Sequence, residues 1–414
     1  MPGWMTKDLT NSMYDTRIKS DTPVDKEGFE YDITDKKAVL NRYLAQDAKD
    51  SKGKIIASRN DIVNSDVINK LNKYKIQKIY VQSPITDPTP GDGFNSYSYG
   101  IDHTGKRRNV GDNIGVVSAH TITEPALNMA MKTFHTGGKF ETKGTPLTQF
   151  DILNRTLRFT SSIPDKSTFA AVDGVIKSIR PSSVGGYDVV IQHGDREEVR
   201  YINPNNSPTV NAGAKVKSGD IISTGTVTPH DMIKYRGMRE AQKLLVNEIS
   251  KINDHQLDKR DIETMVRGIT NTTRVLRPGS SEYVTGDVAP LSTVEYFNNN
   301  NLREEDVEDA VGDHLAFNYS DFKKHQKITQ DTAKSLQKSG FKRVKVYKDR
   351  IKHEPFLTPA GIGAKAASSE DWIARLGHNR IRKVLEEGTT QGWKSEITET
   401  GHPVPQYVTG VYPK

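Results

Sequence analysis

The sequence predicts an α+β protein made of several modules. Residues 168–228 alternate short apolar runs with glycine-containing turns, which is typical of strands. Residues 231–252 and 258–268 instead carry apolar side chains at helical spacing. Hydrophobic residues make up only 34% of the chain and its mean hydropathy is −0.66, which is polar for a self-contained globule. We therefore expect the modules to complete their cores against partner chains.

Seven segments are predicted from changes in pattern and composition. They are a polar N-terminal segment (1–55), a helix–strand–loop region (56–110), a helical region with a polar hinge (111–160), a small β-rich barrel or sandwich module (161–230), a helical segment (231–295), a polar and basic peripheral region (296–353) and a C-terminal segment with a helix over 370–387 (354–414).

The region 56–110 opens with helical spacing of Val63, Val67 and Leu71, for which Asn60 or Asp61 is a candidate cap. A strand is predicted near Ile76–Val81. Residues 83–110 then have the proline, glycine, aspartate and serine content of a loop.

The next region contains the most apolar run, Ile114–Ala119, followed by a predicted helix from about Glu124 to His135. Gly137 and Gly138 end that helix. A second helical pattern runs through Phe150 to Leu157.

The peripheral region is predicted to be helical over 296–340, with Asn298–Asn301 as a linker or loop tip. It carries an acidic run at 304–309 and a basic run at 342–352. We expect the basic run to lie near nucleic acid or an acidic partner; solvated faces of ordinary elements remain the alternative.

Composition excludes several classes of function. The chain has no cysteine, so disulfides, thiolate metal sites and a cysteine nucleophile are excluded. No segment approaches the ~20 apolar residues of a membrane span, and residues 1–8 lack a signal-peptide layout. We expect no membrane association and a cytoplasmic location. The net charge of +7 permits a polyanionic partner without requiring one.

The candidate chemistry lies on the helix that ends at His135. Asn128, Met131, Lys132 and His135 stand at i, i+3, i+4 and i+7, so they share one face. An amide, a thioether, a fixed positive charge and an imidazole match the sugar, base and phosphates of a nucleoside triphosphate. Imidazole suits proton donation near neutral pH. Met131 also belongs to an apolar stripe with Leu127 and Phe134, so a core role stays open, and the two glycines are either a hinge or an ordinary C-cap.

The stretch Gly111–Gly138, with Glu124-Pro125 and Thr133-Phe134-His135-Thr136-Gly137-Gly138, resembles the trigger-loop entrance of the β′ subunit of bacterial DNA-directed RNA polymerase. The second helical pattern resembles the other trigger helix, so the resemblance implies a trigger-loop helical hairpin at 111–160. Residues 215–275 resemble the β-module of that family and the helices after it, and 354–414 resemble its C-terminal segment.

The resemblance implies roles for the face. His135 would contact the β- and γ-phosphates as proton donor or positional electrostatic catalyst, and Lys132, where the family usually has arginine, would contact phosphates as a point charge. Met131 would pack against the incoming base. Asn128 replaces a glutamine and is one methylene shorter. Gly137 and Gly138 would form the hinge.

The resemblance also implies what lies elsewhere. The Asp-x-Asp-Gly-Asp cluster that holds catalytic magnesium is absent from the sequence, so we expect two Mg²⁺ ions with ligands on another chain. Residues 83–110 stand where the family has a zinc site, but they hold Ser83, Ser96 and Ser98 and no cysteine, so we predict no zinc. His103 alone is not a ligand set.

The leading interpretation is thus the C-terminal part of the β′ subunit of a multi-subunit polymerase that carries out transcription by nucleotidyl transfer. Expected partners are the β′ N-terminal fragment, the β subunit or its fragments, a possible promoter-specificity subunit, the DNA template, the RNA product and NTPs. The lack of cysteine and the drift in the trigger helix are most like the split subunits of giant-bacteriophage enzymes, which would act in the infected cell or be packaged in the virion. The alternative is a non-catalytic fragment that binds and inhibits or modulates a host RNA polymerase.

Overall fold

The computed structural model describes residues 9–10, 12–102, 104–135, 163, 165–251, 257–347 and 350–357, with side chains only as far as Glu124 in the helix that ends at His135. Gly137, Gly138, the helical pattern at 150–157, His103 and the predicted C-terminal helix lie outside these residues. Helices and small sheets mix along the described chain, so the α+β prediction is confirmed. The boundaries of the seven segments stay predictions.

The first part of the chain forms small sheets and four helices. Strands β1 and β6 pair in parallel, whereas β2 pairs with β5 and β3 with β4 in antiparallel fashion. The elements are β1 (Ile18–Ser20), β2 (Phe29–Asp32), α1 (Lys36–Val39), β3 (Ala48–Lys49), β4 (Ile55–Ala57), α2 (Ser65–Lys73), β5 (Lys78–Val81), β6 (Phe94–Asn95), α3 (Ser96–Tyr99) and α4 (Ile114–His135).

The second part contains the larger sheets. A four-stranded antiparallel sheet has the order β10-β7-β8-β9, and a three-stranded one has the order β12-β11-β15. The elements are β7 (Gly174–Pro181), β8 (Tyr187–His193), β9 (Arg196–Ile202), β10 (Lys215–Val216), α5 (Pro229–Arg236), α6 (Met238–Ser250), α7 (Lys259–Thr270), β11 (Thr273–Arg277), β12 (Val288–Ala289), α8 (Leu291–Asn300), β13 (Leu302–Asp306), α9 (Gln330–Lys338), β14 (Arg343–Tyr347) and β15 (Lys352–Pro355).

The largest core joins the N-terminal part to α6 and α7. Leu9, Met13 and Leu44 are fully buried in it beside Leu245 and Ile262. The polar N-terminal segment therefore contributes apolar side chains to the main core. They escape periodicity analysis because they come from short strands and turns, none long enough to repeat a pattern.

Several smaller cores lie outside the main one, and the two largest of them belong to the second part of the chain. The core of the four-stranded sheet includes Ile176, Val189 and Ile202, as expected for the β-rich module. A separate core under β13, β14 and α9 includes Leu315 and Val346. Within the described residues, no helix is both long and apolar enough to span a membrane.

Three predicted boundaries near the site were wrong. Helix α4 begins at Ile114 rather than near Glu124, because Asn113 accepts the Val116 N–H at 3.1 Å and so caps it. The helix predicted over 231–252 is two helices, separated at Gly237, whose φ of 88° no helix permits. The cap of α2 is Asn64, which accepts the Val67 N–H at 2.9 Å.

The peripheral region also departs from the prediction. Asn298 is no linker residue: it lies buried in α8, its amide donates to the Ile351 carbonyl at 3.0 Å, and its carbonyl accepts the Ile351 N–H at 2.7 Å. Residues 302–306 form a strand rather than a helix. Strand β13 pairs with β14 so that Glu304 faces Lys345 and Asp306 faces Arg343, which favours a sheet over isolated helices.

Candidate functional site

Helix α4 carries every predicted site position that falls within the described residues. Its backbone is helical without interruption from Ile114 to His135, so Asn128, Met131, Lys132 and His135 lie on one continuous helix at the predicted spacing. Their side chains are outside the described part of the chain, as are Gly137 and Gly138. The structure shows which contacts hold the start of this helix.

Helix α4 contacts α7 through a buried carboxylate. The Ser118 hydroxyl donates to Asp261 Oδ1 at 2.8 Å, and the Tyr99 hydroxyl donates to the same oxygen at 2.9 Å. Burial, reinforced by Asp258, raises the pKa of Asp261 above its usual value, and these two hydrogen bonds oppose the rise. One oxygen thus ties α3 and α4 to the first turn of α7.

Close packing at two glycines completes the attachment. A Cβ at Gly115 would stand 2.1 Å from the Met13 carbonyl oxygen, and one at Gly268 would stand 2.0 Å from Met13 Sδ. Met13 is fully buried. It therefore fits between α4 and α7 only because both helices lack a side chain at the point of contact.

Helix α7 is itself fixed by a buried ion pair. Arg42 donates from its two terminal nitrogens to the two oxygens of Glu263, each at 2.6 Å, and both side chains are 0% exposed. The Tyr31 and Ser83 hydroxyls also donate to Glu263, at 2.5 Å each. A bidentate pair with two further donors meets the conditions under which a buried pair is tolerated.

Arg267, one turn further along α7, organises the segment that was predicted to be a loop. Its guanidinium donates to the carbonyls of Pro84, Asp87, Thr89 and Gly93, at 2.8 to 2.9 Å. Burial lowers the pKa of Arg267, and Asp87 opposes that change. The segment 84–93 is thereby wrapped around one buried cation.

The three serines of the segment 83–110 all hydrogen-bond to carboxylates. Ser83 donates to Glu263, Ser98 donates to Asp87 at 2.6 Å, and Ser96 donates to Asp21. In the part of the chain that the structure describes, no group of three or more acidic or histidine side chains is arranged to hold a metal ion. The absence of zinc remains a prediction, whereas the hydrogen bonds show how this segment is ordered by the protein itself.

Sequence reasoning predicted a functional face on α4, which stays a prediction, and it missed the residues that hold the start of this helix. Asp261, Glu263 and Arg267 have the composition of a solvated helix surface, and only their burial reveals their role. The one available signal was that α7 carries charges on the same faces as its apolar residues. Gly115 and Gly268 gave no signal, since each stands inside a helical pattern where glycine is merely tolerated.

Comparison with known proteins defines the class of protein that this arrangement belongs to. The family described as RNA polymerase Rpb1, domain 5, matches residues 3–301. The chain belongs to that family. The match includes α4, α7 and the N-terminal segment that contacts both.

Particular relatives agree with this family. The chain is 28% identical over 264 residues to the DNA-directed RNA polymerase subunit beta′ of Caldanaerobacter subterraneus subsp. tengcongensis, covering 62% of this chain and 22% of that protein. It is 26% identical over 320 residues to the subunit beta′ of Caldicellulosiruptor saccharolyticus, covering 73% and 27%. For the subunit beta′ of Ureaplasma parvum serovar 3, identity is 26% over 392 residues, covering 88% and 30%. The chain thus spans less than a third of the length of these relatives and corresponds to part of a β′ subunit.

Proposed function

We propose that this chain is the part of a DNA-directed RNA polymerase β′ subunit that closes over the incoming nucleoside triphosphate. The observation that carries the proposal is the family match over residues 3–301, within which α4 runs unbroken through the four positions predicted to face the nucleotide. The start of α4 is held to α7 through Ser118 and Asp261, and the helix continues for about 18 Å beyond Thr123. A fixed base with a long extension suits a segment that must close and open.

Helix α4 carries a proline within its length. Pro125 has no N–H to donate to the Thr121 carbonyl. The helix therefore lacks one backbone hydrogen bond near Thr121. Bending at a proline is the ordinary consequence, and it supports the proposal that Gly137 and Gly138 are not the only hinge.

In the proposed mechanism, residues of this chain bind and orient the nucleotide. Lys132 contacts phosphates, Met131 packs against the base, Asn128 reaches the sugar, and His135 gives a proton to the leaving phosphate or neutralises its charge. The sequence contains no Asp-x-Asp-Gly-Asp cluster, and no metal-binding group occurs among the described residues, so magnesium would be held outside these 414 residues. When bound there, magnesium supplies charge neutralisation at the reacting phosphates.

The proposed setting is a multi-subunit enzyme. The remaining β′ sequence and the β subunit would complete the cleft, a further subunit would select promoters, and the enzyme would work in the cytoplasm of a bacterial cell infected by a large phage. The 22–30% coverage of each relative supports the need for such partners, because most of a β′ subunit lies elsewhere.

Single-nucleotide addition in the assembled polymerase tests the proposal. We expect His135→Ala to slow addition at saturating nucleotide by about 10²- to 10⁴-fold if it acts as general acid, and by less if it only positions charge. Lys132→Ala should both raise the nucleotide concentration required and slow addition, since a phosphate contact acts before and during the reaction. Gly137→Pro should impair addition by restricting the hinge.

His120→Ala is the matched control, because His120 is an exposed histidine of the same helix that lies about two turns before Asn128, the first of the predicted positions. It should add nucleotides at the wild-type rate, and all variants should assemble and bind template normally. Wild-type rates for both His135→Ala and Lys132→Ala would reject the nucleotide-handling role. A chain that assembles only with an intact host polymerase and stops it would support the inhibitor alternative.

A further inference from the structure

A second site is visible in a groove between the three-stranded sheet and the peripheral unit. It has a volume of about 1130 Å³, and basic and imidazole side chains from several elements line it. We call it the cationic groove; its principal residues are Arg277, His314, His325, Tyr347, Arg350, Lys352 and His353. Most of these residues lie beyond residue 301, where the family match ends.

Among the described residues, Arg277, Arg350 and Lys352 of the groove have no acidic partner. Arg277 and Lys352 stand directly opposite each other in the antiparallel pair of β11 and β15, which is an unfavourable placement for like charges. Among the ion pairs between described residues, none includes Arg277, Arg350 or Lys352. The two carboxylates on the wall do not supply one, because Asp313 pairs with Arg303 at 2.6 Å and Glu295 forms no ion pair within the described chain.

The described cations of the basic run at 342–352 lie in two different surroundings. Arg343 lies near Asp306 at 3.5 Å, and Lys345 faces Glu304 across the β13–β14 pair, so those cations are offset by the acidic run of the same unit. Arg350 and Lys352 are not offset by acidic residues in this way. Arg350 and Lys352 are thus the described cations of this run that line the groove.

An aromatic group with an unsatisfied hydroxyl lies in the same wall. Tyr347 is only 4% exposed, and its hydroxyl has no hydrogen-bond partner within the described structure. The exposed His325 ring stacks on it at 5.1 Å between centroids and 2° between planes, and the Arg350 guanidinium lies 4.4 Å from its centroid. A buried hydroxyl without a partner destabilises the fold, and a hydrogen-bond acceptor on a ligand would remove that cost.

The backbone at His325 adopts an uncommon conformation. Its φ is 69°, in the left-handed region that residues other than glycine rarely adopt. Such strained positions concentrate where a side chain is held for binding. Here the strain presents an imidazole at the mouth of a groove that already contains two other histidines.

From these observations we propose that the cationic groove binds the phosphodiester backbone of a nucleic-acid strand, with a base stacking near His325. The groove exceeds the ~300–1000 Å³ typical of small-ligand sites, and cations interleaved with stacked rings are how proteins hold single strands. An acidic peptide would use the cations but has no use for the stacked rings. The inference goes beyond the proposed closure over the nucleotide and concerns a different surface.

Binding of labelled oligonucleotides to the full 414-residue chain, without nucleotides or other subunits, tests it separately from nucleotide addition. Single-stranded RNA, single-stranded DNA and duplex DNA of about 12 units would be compared by fluorescence anisotropy at about 100 mM salt. We expect Arg277→Glu with Lys352→Glu to weaken single-strand binding about tenfold or more. The slope of log affinity against log salt concentration should become less steep by about 1.4, since each lost phosphate contact reduces its magnitude by about 0.7.

Tyr347→Phe keeps the ring and removes only the hydroxyl, so it should weaken binding a few-fold at an unchanged salt slope. Lys52→Glu with Lys54→Glu makes the same charge change in an exposed turn far from the groove and should leave affinity within about twofold. Thermal unfolding of each variant would show that it is folded. Equal weakening by the groove and turn variants, unchanged binding in both groove variants, or displacement by polyglutamate with no oligonucleotide binding would overturn the proposal.

Discussion

Helix α7 and the cationic groove contain the same kinds of charged side chain in opposite circumstances. On α7, Asp261, Glu263 and Arg267 are almost completely buried, and each has at least two hydrogen-bond partners from other elements. In the groove, Arg277 and Lys352 are exposed and face each other rather than a carboxylate. The sequence surrounding both regions is similarly rich in charge.

The difference separates two uses of charge. Burying an ion requires partners, so a buried charge with several hydrogen-bond partners marks where the fold connects its elements. Like charges left together at a surface are mildly unfavourable to the fold and become favourable only when an anion arrives. By this criterion the charges of α7 connect elements of the fold, whereas the charges of the groove are available to bind an anionic ligand.

Removing one charge from each region should give the largest difference in the free energy of unfolding. Glu263→Gln leaves Arg42 without a counter-charge in the core, so we expect the free energy of unfolding to fall by about 3–5 kcal/mol. Lys352→Gln should change it by no more than about 0.5 kcal/mol, as at other exposed positions. Urea denaturation of the full chain measures both. A loss of stability in Lys352→Gln as large as that in Glu263→Gln would contradict the distinction between the two regions.

Much of the fold was predictable from local pattern. The α2–β5 unit, the β-rich segment and helices α6 and α7 were found because each repeats its apolar spacing over enough residues. The start of α4 and the role of Asn298 were missed because they depend on single side chains, Asn113 as a cap and Asn298 bonded to a strand far along the sequence. No periodicity encodes such contacts.

The candidate site was predictable only in part, for a related reason. The spacing of Asn128, Met131, Lys132 and His135 is a local property of one helix, and the helix is present. The attachment of that helix is not local, since Ser118 and Asp261 are 143 residues apart. The groove joins residues 277 and 352 by strand pairing, which the separate acidic and basic runs could not indicate.

Disturbing the contact between Gly268 and Met13 should have an intermediate effect on stability. Gly268→Ala places a methyl group against Met13 Sδ, and overpacking of this kind costs about 1–3 kcal/mol. If the clash with Met13 is the cause, Gly268→Ala should cost measurably less in a Met13→Ala background. A double-mutant cycle by urea denaturation provides the coupling. Strict additivity of the two changes would mean that α4 and α7 are not held together by this contact.

The smallest effect we expect is a change in pH dependence at Asp261. Because its folded pKa lies above the unfolded value of about 3.9, its protonated form favours folding, and this contribution is lost as pH rises from about 4 through the folded pKa. Asp261→Asn keeps the oxygen that accepts from Ser118 and Tyr99 but cannot ionise. The stability of the variant relative to wild type should therefore increase between about pH 4 and pH 7. Asp66→Asn, at an exposed first-turn position of α2, is the control and should lack that increase. An identical pH profile for Asp261→Asn and wild type would show that this carboxylate is not held in an environment that disfavours its charge, and the paired character assigned to α7 would then rest on Glu263 and Arg267 alone.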